Sequence, residues 1–318
     1  MKNSDNAIIN LLYCFDEGYN LQTYISIKSI LSKSENLKYN ILIIHKNPNS
    51  FSKFKNKLLK EKLIENIYIW KFNLNNIDFP NVKNKHISEA TYYRLYFAYI
   101  IQDNFKNLIY LDSDVFAVNN PEDDLLNTIS ELENSKHAIA ASSEQKKNTK
   151  KYSQNLIFND KYFNAGVMAI NVERWKSVVT DNSVKNIINK YSDDLKHWDQ
   201  DVLNLLYNGE YLEMSNALNY RIYHESSLIK ILENSVLIHY FGNHKPWTIE
   251  GGIELESKIY FEYLKEFTNK GYHFVFKSTR KSSLIFLFNT LLSRDILKVR
   301  YPMRYFFNGL RTILFKNK

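Results

Sequence analysis

The sequence predicts an α/β fold with a mostly parallel sheet flanked by helices. Three observations carry this. Short apolar runs alternate with segments of helical spacing from Ala7 to Leu111. The resulting β-α-β-α order is that of crossover units, which build parallel sheets. Polar, chemistry-bearing residues follow directly on two of the apolar runs, after Phe15 and after Leu111, where such sheets bind ligands beyond their carboxyl ends.

The elements follow in order. Ala7–Phe15 reads as a buried strand, and Leu21–Leu31 as a helix through Leu21, Tyr24, Ile25, Lys28 and Leu31. Tyr39–His45 is a second strand, Ser50–Leu63 a helix and Asn66–Phe72 a third strand. Ser88–Ile101 reads as a helix with Ser88 as its N-cap. Asn107–Leu111 is a fourth strand running straight into Asp112. Beyond it, His137–Ser142, Gly166–Asn171 and Val236–Tyr240 read as strands. Val172–Tyr191, Asp199–Tyr207 and Glu254–Thr268 read as helices. No internal repeat is visible. Composition turns apolar and basic near Gly271, so residues 1–270 are expected to form one catalytic-sized domain and 271–318 an extension.

Composition narrows the class. Hydrophobic residues make up 44% and charged residues 24% of 318, which excludes a disordered chain. A single cysteine, Cys14, excludes an intrachain disulfide framework and a multi-cysteine zinc site, and points to the cytosol. Ala7–Phe15 lacks a signal-peptide layout, and neither it nor Leu284–Leu292 approaches the ~20 apolar residues of a spanning helix. The net charge is +8. From His273 onward ten basic residues face one acid, Asp295, a net of +9 that leaves −1 for everything before it. Basicity belongs to the tail, so the body gives a nucleic-acid partner no support. The tail, with Arg294 and Lys298 spaced i, i+4 and Arg300, Arg304 and Arg311 among aromatics, suits an anionic membrane surface. A solvated helix packed on the body is the competing reading.

Five constellations could carry chemistry. Asp112 and Asp114 leave a strand end one residue apart; in extended chain both would face one divalent ion, though acids also simply end strands. His239 closes another apolar run and offers an imidazole ligand, while Gly242 permits close backbone approach and Lys245 a point charge for phosphate. A satisfied core histidine and a solvated lysine are the alternatives. Phe163-Asn164-Ala165-Gly166 sets an amide and small residues before a strand, fit for a sugar ring or for a tight turn. In His197-Trp198-Asp199-Gln200-Asp201, Asp199 suits an N-cap and Asp201 the helix dipole, but Gln200 has no such structural role. Arg94, near His86, sits on an apolar helix and calls for a carboxylate or phosphate, or a structural ion pair.

Taken in order, these motifs resemble glycosyltransferase family 8, most nearly bacterial lipopolysaccharide galactosyl- and glucosyltransferases, over roughly Ile8 to Trp247. The resemblance implies a GT-A fold of nucleotide-sugar-binding, Rossmann-like type, with the basic helical extension of the lipopolysaccharide members after it. It implies a UDP-glucose or UDP-galactose donor, a manganese ion (or magnesium), a lipid-linked oligosaccharide acceptor and retention at the anomeric carbon. By position it implies metal ligation by Asp112, Asp114 and His239, and a uracil contact at Asp16. Gly242 and Lys245 match the diphosphate loop; Arg94, Asn164, Asp199 and Gln200 match the donor-sugar and reaction centre; His86 matches the cleft. Gly18 departs from the family, which often has a polar residue there to meet the nucleoside. The expected enzyme is a hexosyltransferase at the inner face of the cytoplasmic membrane. A silent sugar-nucleotide-binding protein is the alternative, and a nucleotidyltransferase ranks last because no glycine-rich phosphate loop follows the first strand.

Overall fold

The computed structural model describes residues 7–73, 90–101, 105–144, 156, 161–222, 227–242, 245–275 and 279–315. Four strands, β1 (Ile8–Phe15), β2 (Lys38–His45), β3 (Ile64–Lys71) and β4 (Asn107–Leu111), pair in parallel in the order β3-β2-β1-β4. The first crossovers run through α1 (Asn20–Lys33) and α2 (Ser52–Leu58). The second half of the sheet is mixed. β7 (Phe163–Asn171) lies antiparallel to β4 and to β6 (Ile139–Ser143), and β8 (Leu212–Glu213) joins β6 in parallel, closing a seven-stranded sheet.

Alternation along each strand divides the core into two layers, because successive side chains point to opposite faces. Ile9, Leu11, Tyr13, Tyr39, Ile41, Ile109 and Val167 face α1 and one layer. Leu12, Leu42, Ile44, Leu108, Tyr110 and Met168 face the other, against α3 (Ala90–Ile100). Burial on both faces is why these strands read as continuous apolar runs.

A second, three-stranded sheet bears on function. β5 (Val115–Ala117) pairs antiparallel with β10 (Leu237–His239), which runs parallel to β9 (Tyr220–Arg221). Helix α1 holds β5 through buried hydroxyls. Thr23 meets the Ser113 hydroxyl at 2.7 Å, Ser26 donates to the Val115 carbonyl at 2.5 Å, and Ser29 accepts from the Ala117 N–H at 2.9 Å.

Several elements differ from the sequence reading. The helix expected over Ser50–Leu63 is a 3-10 turn, Pro48–Phe51, and the short α2 ending at Leu58. The helix expected over Val172–Tyr191 is two: α5 (Val172–Val178) and α6 (Asp181–Tyr191), divided where Thr180 and Ser183 cap each other reciprocally. β7 begins at Phe163, three residues before the start expected at Gly166, so Asn164 and Ala165 lie inside a strand rather than before one. Helix α4 (Glu122–Asn134) was not anticipated. Ser88, the expected N-cap, lies outside the described residues.

After α8 (Leu228–Asn234) and α9 (Ser257–Thr268), the tail forms α10 (Arg280–Leu292) and α11 (Pro302–Phe315). Both pack on a third core with Ile249, Ile253, Tyr272, Phe274 and Tyr305, and the Tyr305 hydroxyl donates to the Ile249 carbonyl. Arg294 and Lys298 do not share a helix: Arg294 takes φ 64° after α10, and Lys298 pairs with Asp295 at 2.8 Å. Among the described residues no helix is long and apolar enough to cross a membrane.

Candidate functional site

The site starts where β4 ends. The Asp112 N–H donates to the Gly166 carbonyl at 2.8 Å, and the Val115 N–H returns to the Asp112 carbonyl at 3.1 Å. Asp112 and Asp114 therefore sit on a turn, not on extended chain, and their convergence comes from this i to i+3 bond. Because β10 pairs with β5, His239 stands opposite Val115, beside that turn.

Asp112, Asp114 and His239 each contribute one ligand-type atom, all within 4.8 Å of one another. His239 Nε2 is 3.2 Å from Asp114 Oδ1 and 3.9 Å from Asp112 Oδ2. Asp114 Oδ1 is buried and accepts no aligned hydrogen bond from the described residues. A buried carboxylate oxygen left this way, facing an imidazole nitrogen and a second carboxylate, suits a divalent cation such as Mn2+ or Mg2+. The other Asp114 oxygen bonds Lys245 Nζ, which also donates to the Tyr240 carbonyl. Burial would raise the Asp114 pKa, but Lys245 and His239 hold it well below the usual carboxylate range.

Gly166 makes this approach possible, since a Cβ there would lie 2.2 Å from His239 Cε1. Gly251 does the same behind Lys245, where a Cβ would lie 2.2 Å from the Lys245 carbonyl oxygen. Gly242 takes φ 78° with open space around it, so the turn, not a close neighbour, requires it.

A second charged group adjoins the first. Arg94 Nε is 2.5 Å from Asp199 Oδ2, and its Nη1 is 3.5 Å from Asp112 Oδ1 and donates to the Ala165 carbonyl at 2.5 Å. The Tyr110 hydroxyl donates to Asp112 Oδ1 at 2.6 Å, and the guanidinium lies over the Tyr110 ring. One cation serves two carboxylates, which affects the partners differently. Burial opposes the charge on Arg94, yet Asp112 and Asp199 together raise its pKa. Asp199, buried and next to Asp112, is pushed up to about 6 despite Arg94.

Gln200 is fixed at both ends: Oε1 accepts from the Ala165 N–H at 3.1 Å and Nε2 donates to the Tyr162 hydroxyl at 3.0 Å. Asp199 is not an N-cap. Helix α7 (Trp198–Tyr207) begins one residue earlier, at Trp198, which has φ 38°. Asp201 is structural, accepting the Lys196 and His197 N–H groups at 2.8 and 2.7 Å and the Tyr162 hydroxyl at 2.6 Å. Asn164 is buried and turned toward Asn219, Glu144 and the Gly166 N–H.

Asp16 caps the turn after β1 by accepting the Gly18 N–H at 3.0 Å. That turn meets the Lys245 loop through Tyr19, edge-on to Trp247 at 6.0 Å. His86 lies outside the described residues. The sequence reading passed over Tyr110, Tyr162, Glu144, Asn219 and Arg221. For Tyr110 the i, i+2 spacing to Asp112 was a usable signal; the others are brought in only by the tertiary fold.

The sequence model described as Glycosyl transferase family 8 matches residues 10–251. The chain is 29% identical over 181 residues to general stress protein A of Bacillus subtilis, across 52% of this chain and 62% of that protein. It thus spans less than two thirds of that relative's length. It is 30% identical over 270 residues to a lipopolysaccharide 1,2-glucosyltransferase of Escherichia coli, across 78% of this chain and 75% of that enzyme. The solved structure of galactosyltransferase LgtC with donor and acceptor sugar analogs matches with TM-score 0.60 and 20% identity, over 81% of this chain and 96% of that one. At that identity the likeness concerns fold, and the α/β architecture is of the GT-A type.

Proposed function

The chain belongs to glycosyl transferase family 8, and from that premise we propose that it is a retaining, metal-dependent hexosyltransferase. In this reading it moves glucose or galactose from a UDP-sugar to a lipopolysaccharide core or a related lipid-linked oligosaccharide. The observation that carries it is the convergence of Asp112, Asp114 and His239 with Lys245 bonded to the same Asp114. Relatives named as lipopolysaccharide glucosyl- and galactosyltransferases favour the acceptor class.

Asp112, Asp114 and His239 would hold the cation, Mn2+ with Mg2+ as the alternative. When bound, it supplies Lewis-acid stabilisation for the departing diphosphate. Lys245 adds a preorganised positive charge beside it. Arg94 orients Asp112 and Asp199 through its shared guanidinium. In this reading Asp16 contacts the uracil beyond the end of β1, and Gly242 lets the backbone turn beside the diphosphate. Gln200, its amide held by Ala165 and Tyr162, and Asp199 line the reaction centre. An amide is a poor nucleophile, so attack from the leaving-group face accounts for retention better than a covalent adduct. The acceptor oxygen bonds to the anomeric carbon as the bond to the phosphate oxygen breaks, and the acceptor's proton passes to that departing oxygen.

The extension 271–318 is proposed as the membrane-facing part. It exposes Leu292 and Phe315 at 80% and 78%, together with Leu297, Met303 and Phe307, among Arg300, Arg304 and Arg311. This would hold the enzyme peripherally at the inner face of the cytoplasmic membrane.

UDP release from a panel of UDP-sugars, with Mn2+ and with chelator, tests the proposal. Metal-dependent release from UDP-glucose or UDP-galactose is expected; chelator-insensitive release, or release only from other donors, would contradict it.

A further inference from the structure

We propose that Glu144, Asn164 and Asn219 form a hydrogen-bond relay that fixes the tautomer of His239, keeping the proton on Nδ1 and turning bare Nε2 toward the cation. The inference rests on the metal reading above and adds positioning residues to it.

The direction of each bond follows from two ends of fixed polarity. One end is a backbone N–H: Gly166 donates to the Asn164 side chain at 3.0 Å, so the atom it meets must be the oxygen. The other end is a carboxylate. Glu144 is buried opposite Arg221, with Oε2 3.7 Å from Nε, and Arg221 is itself held by the Ser142 and Ser143 carbonyls. A carboxylate facing a guanidinium can only accept. Its Oε1, 3.2 Å from Asn164, therefore meets the NH2 group, and both ends of Asn164 agree.

Asn219 is determined in turn. It approaches the Asn164 oxygen at 3.0 Å and must do so with its own NH2. Its oxygen is then the atom 3.0 Å from His239 Nδ1, which must carry a proton to make that bond. Nε2 is left facing Asp114 Oδ1 and Asp112 Oδ2. The relay runs from the residue after β6 through β7 and the 3-10 turn Asn216–Asn219 to β10, so it also joins the two sheets at the site. A metal-bound histidine commonly depends on such a partner on its other nitrogen.

Wild-type protein needs no substitution for the first test. With 15N-labelled histidine, His239 should show a protonated Nδ1 in the metal-free protein and an unprotonated Nε2 once Mg2+ is bound. Loss of the signal in His239→Asn assigns it, and the opposite tautomer would overturn the proposal. The second test follows Mn2+ binding by the paramagnetic resonance of the free ion. Asn219→Leu and Asn219→Ala should each weaken binding by about 10–100-fold with the melting transition still cooperative. Unchanged affinity in either folded variant would also overturn it. If wild type shows the Nδ1–H tautomer but binds no Mn2+, the metal reading fails and the relay stands. If wild type binds Mn2+ with the opposite tautomer, the relay fails and the metal reading stands.

Discussion

A Cβ on residue 166 would meet His239 Cε1 at 2.2 Å, Nδ1 at 2.8 Å and Asp112 Oδ2 at 3.0 Å. Gly166→Ala should therefore displace two of the three cluster residues and weaken Mn2+ binding by about 10–100-fold, read by calorimetry. Asp199 gives a pH-dependent prediction. Its carboxyl has a pKa of about 6 in the folded chain, raised by burial and by Asp112, against about 3.9 unfolded. Between these values only the folded state keeps the proton, so the group's contribution to stability is full below pH ~4 and is lost as pH rises to ~6. Asn at this position does not titrate. The stability of metal-free wild type relative to Asp199→Asn should fall across that window, by at most about 3 kcal/mol, and level off above it. Melting curves of both proteins through the window check the sign.

Helix α1 shows how an element can serve the site without contributing a side chain to the cluster. Its buried Thr23, Ser26 and Ser29 carry hydroxyls that bond the turn and strand after β4. Ser29→Ala leaves the buried Ala117 N–H without this acceptor and should cost about 1–3 kcal/mol, measured by urea unfolding. In sequence these residues interrupt the apolar face of a helix, and nothing local says what they meet. The strands were far more legible. β1, β2 and β4 are buried on both sides, so their apolar runs stand out, and Asp112 could be read as a strand-end acid at once. The division at Thr180 was hidden because α5 and α6 are both helical and their composition runs on; only the reciprocal cap with Ser183 separates them. Extended geometry predicts that Asp112 and Asp114 face one side, whereas in the structure a turn closed by the Val115 N–H to the Asp112 carbonyl brings them together. Asn219 and Glu144 lay beyond reach, since an asparagine in a short turn and a glutamate past a strand end carry no local signal.

Across the whole molecule, the third core ties the two C-terminal helices to the segment that carries Lys245. Tyr305 bonds the Ile249 carbonyl, Ser283 bonds Glu250 at 3.0 Å, and Val275 bonds the Trp247 carbonyl at 2.7 Å. The tail is therefore packed on the body and still exposes apolar side chains such as Leu292 and Phe315. Replacing Arg300, Arg304 and Arg311 by glutamine should reduce sedimentation with anionic vesicles at low salt while leaving neutral vesicles unaffected, since each basic residue near such a surface contributes about 1 kcal/mol. Unaltered sedimentation would remove the membrane proposal. If the end of β4 and the loop after β10 form one cation-and-diphosphate site, UDP affinity in calorimetry, with and without Mn2+, should separate wild type from Asp114→Asn. Mn2+ should tighten UDP binding to wild type by at least about tenfold, a coupling of ~1.4 kcal/mol, and should lose that effect in the variant. Equal coupling in both proteins, or none in wild type, would contradict it.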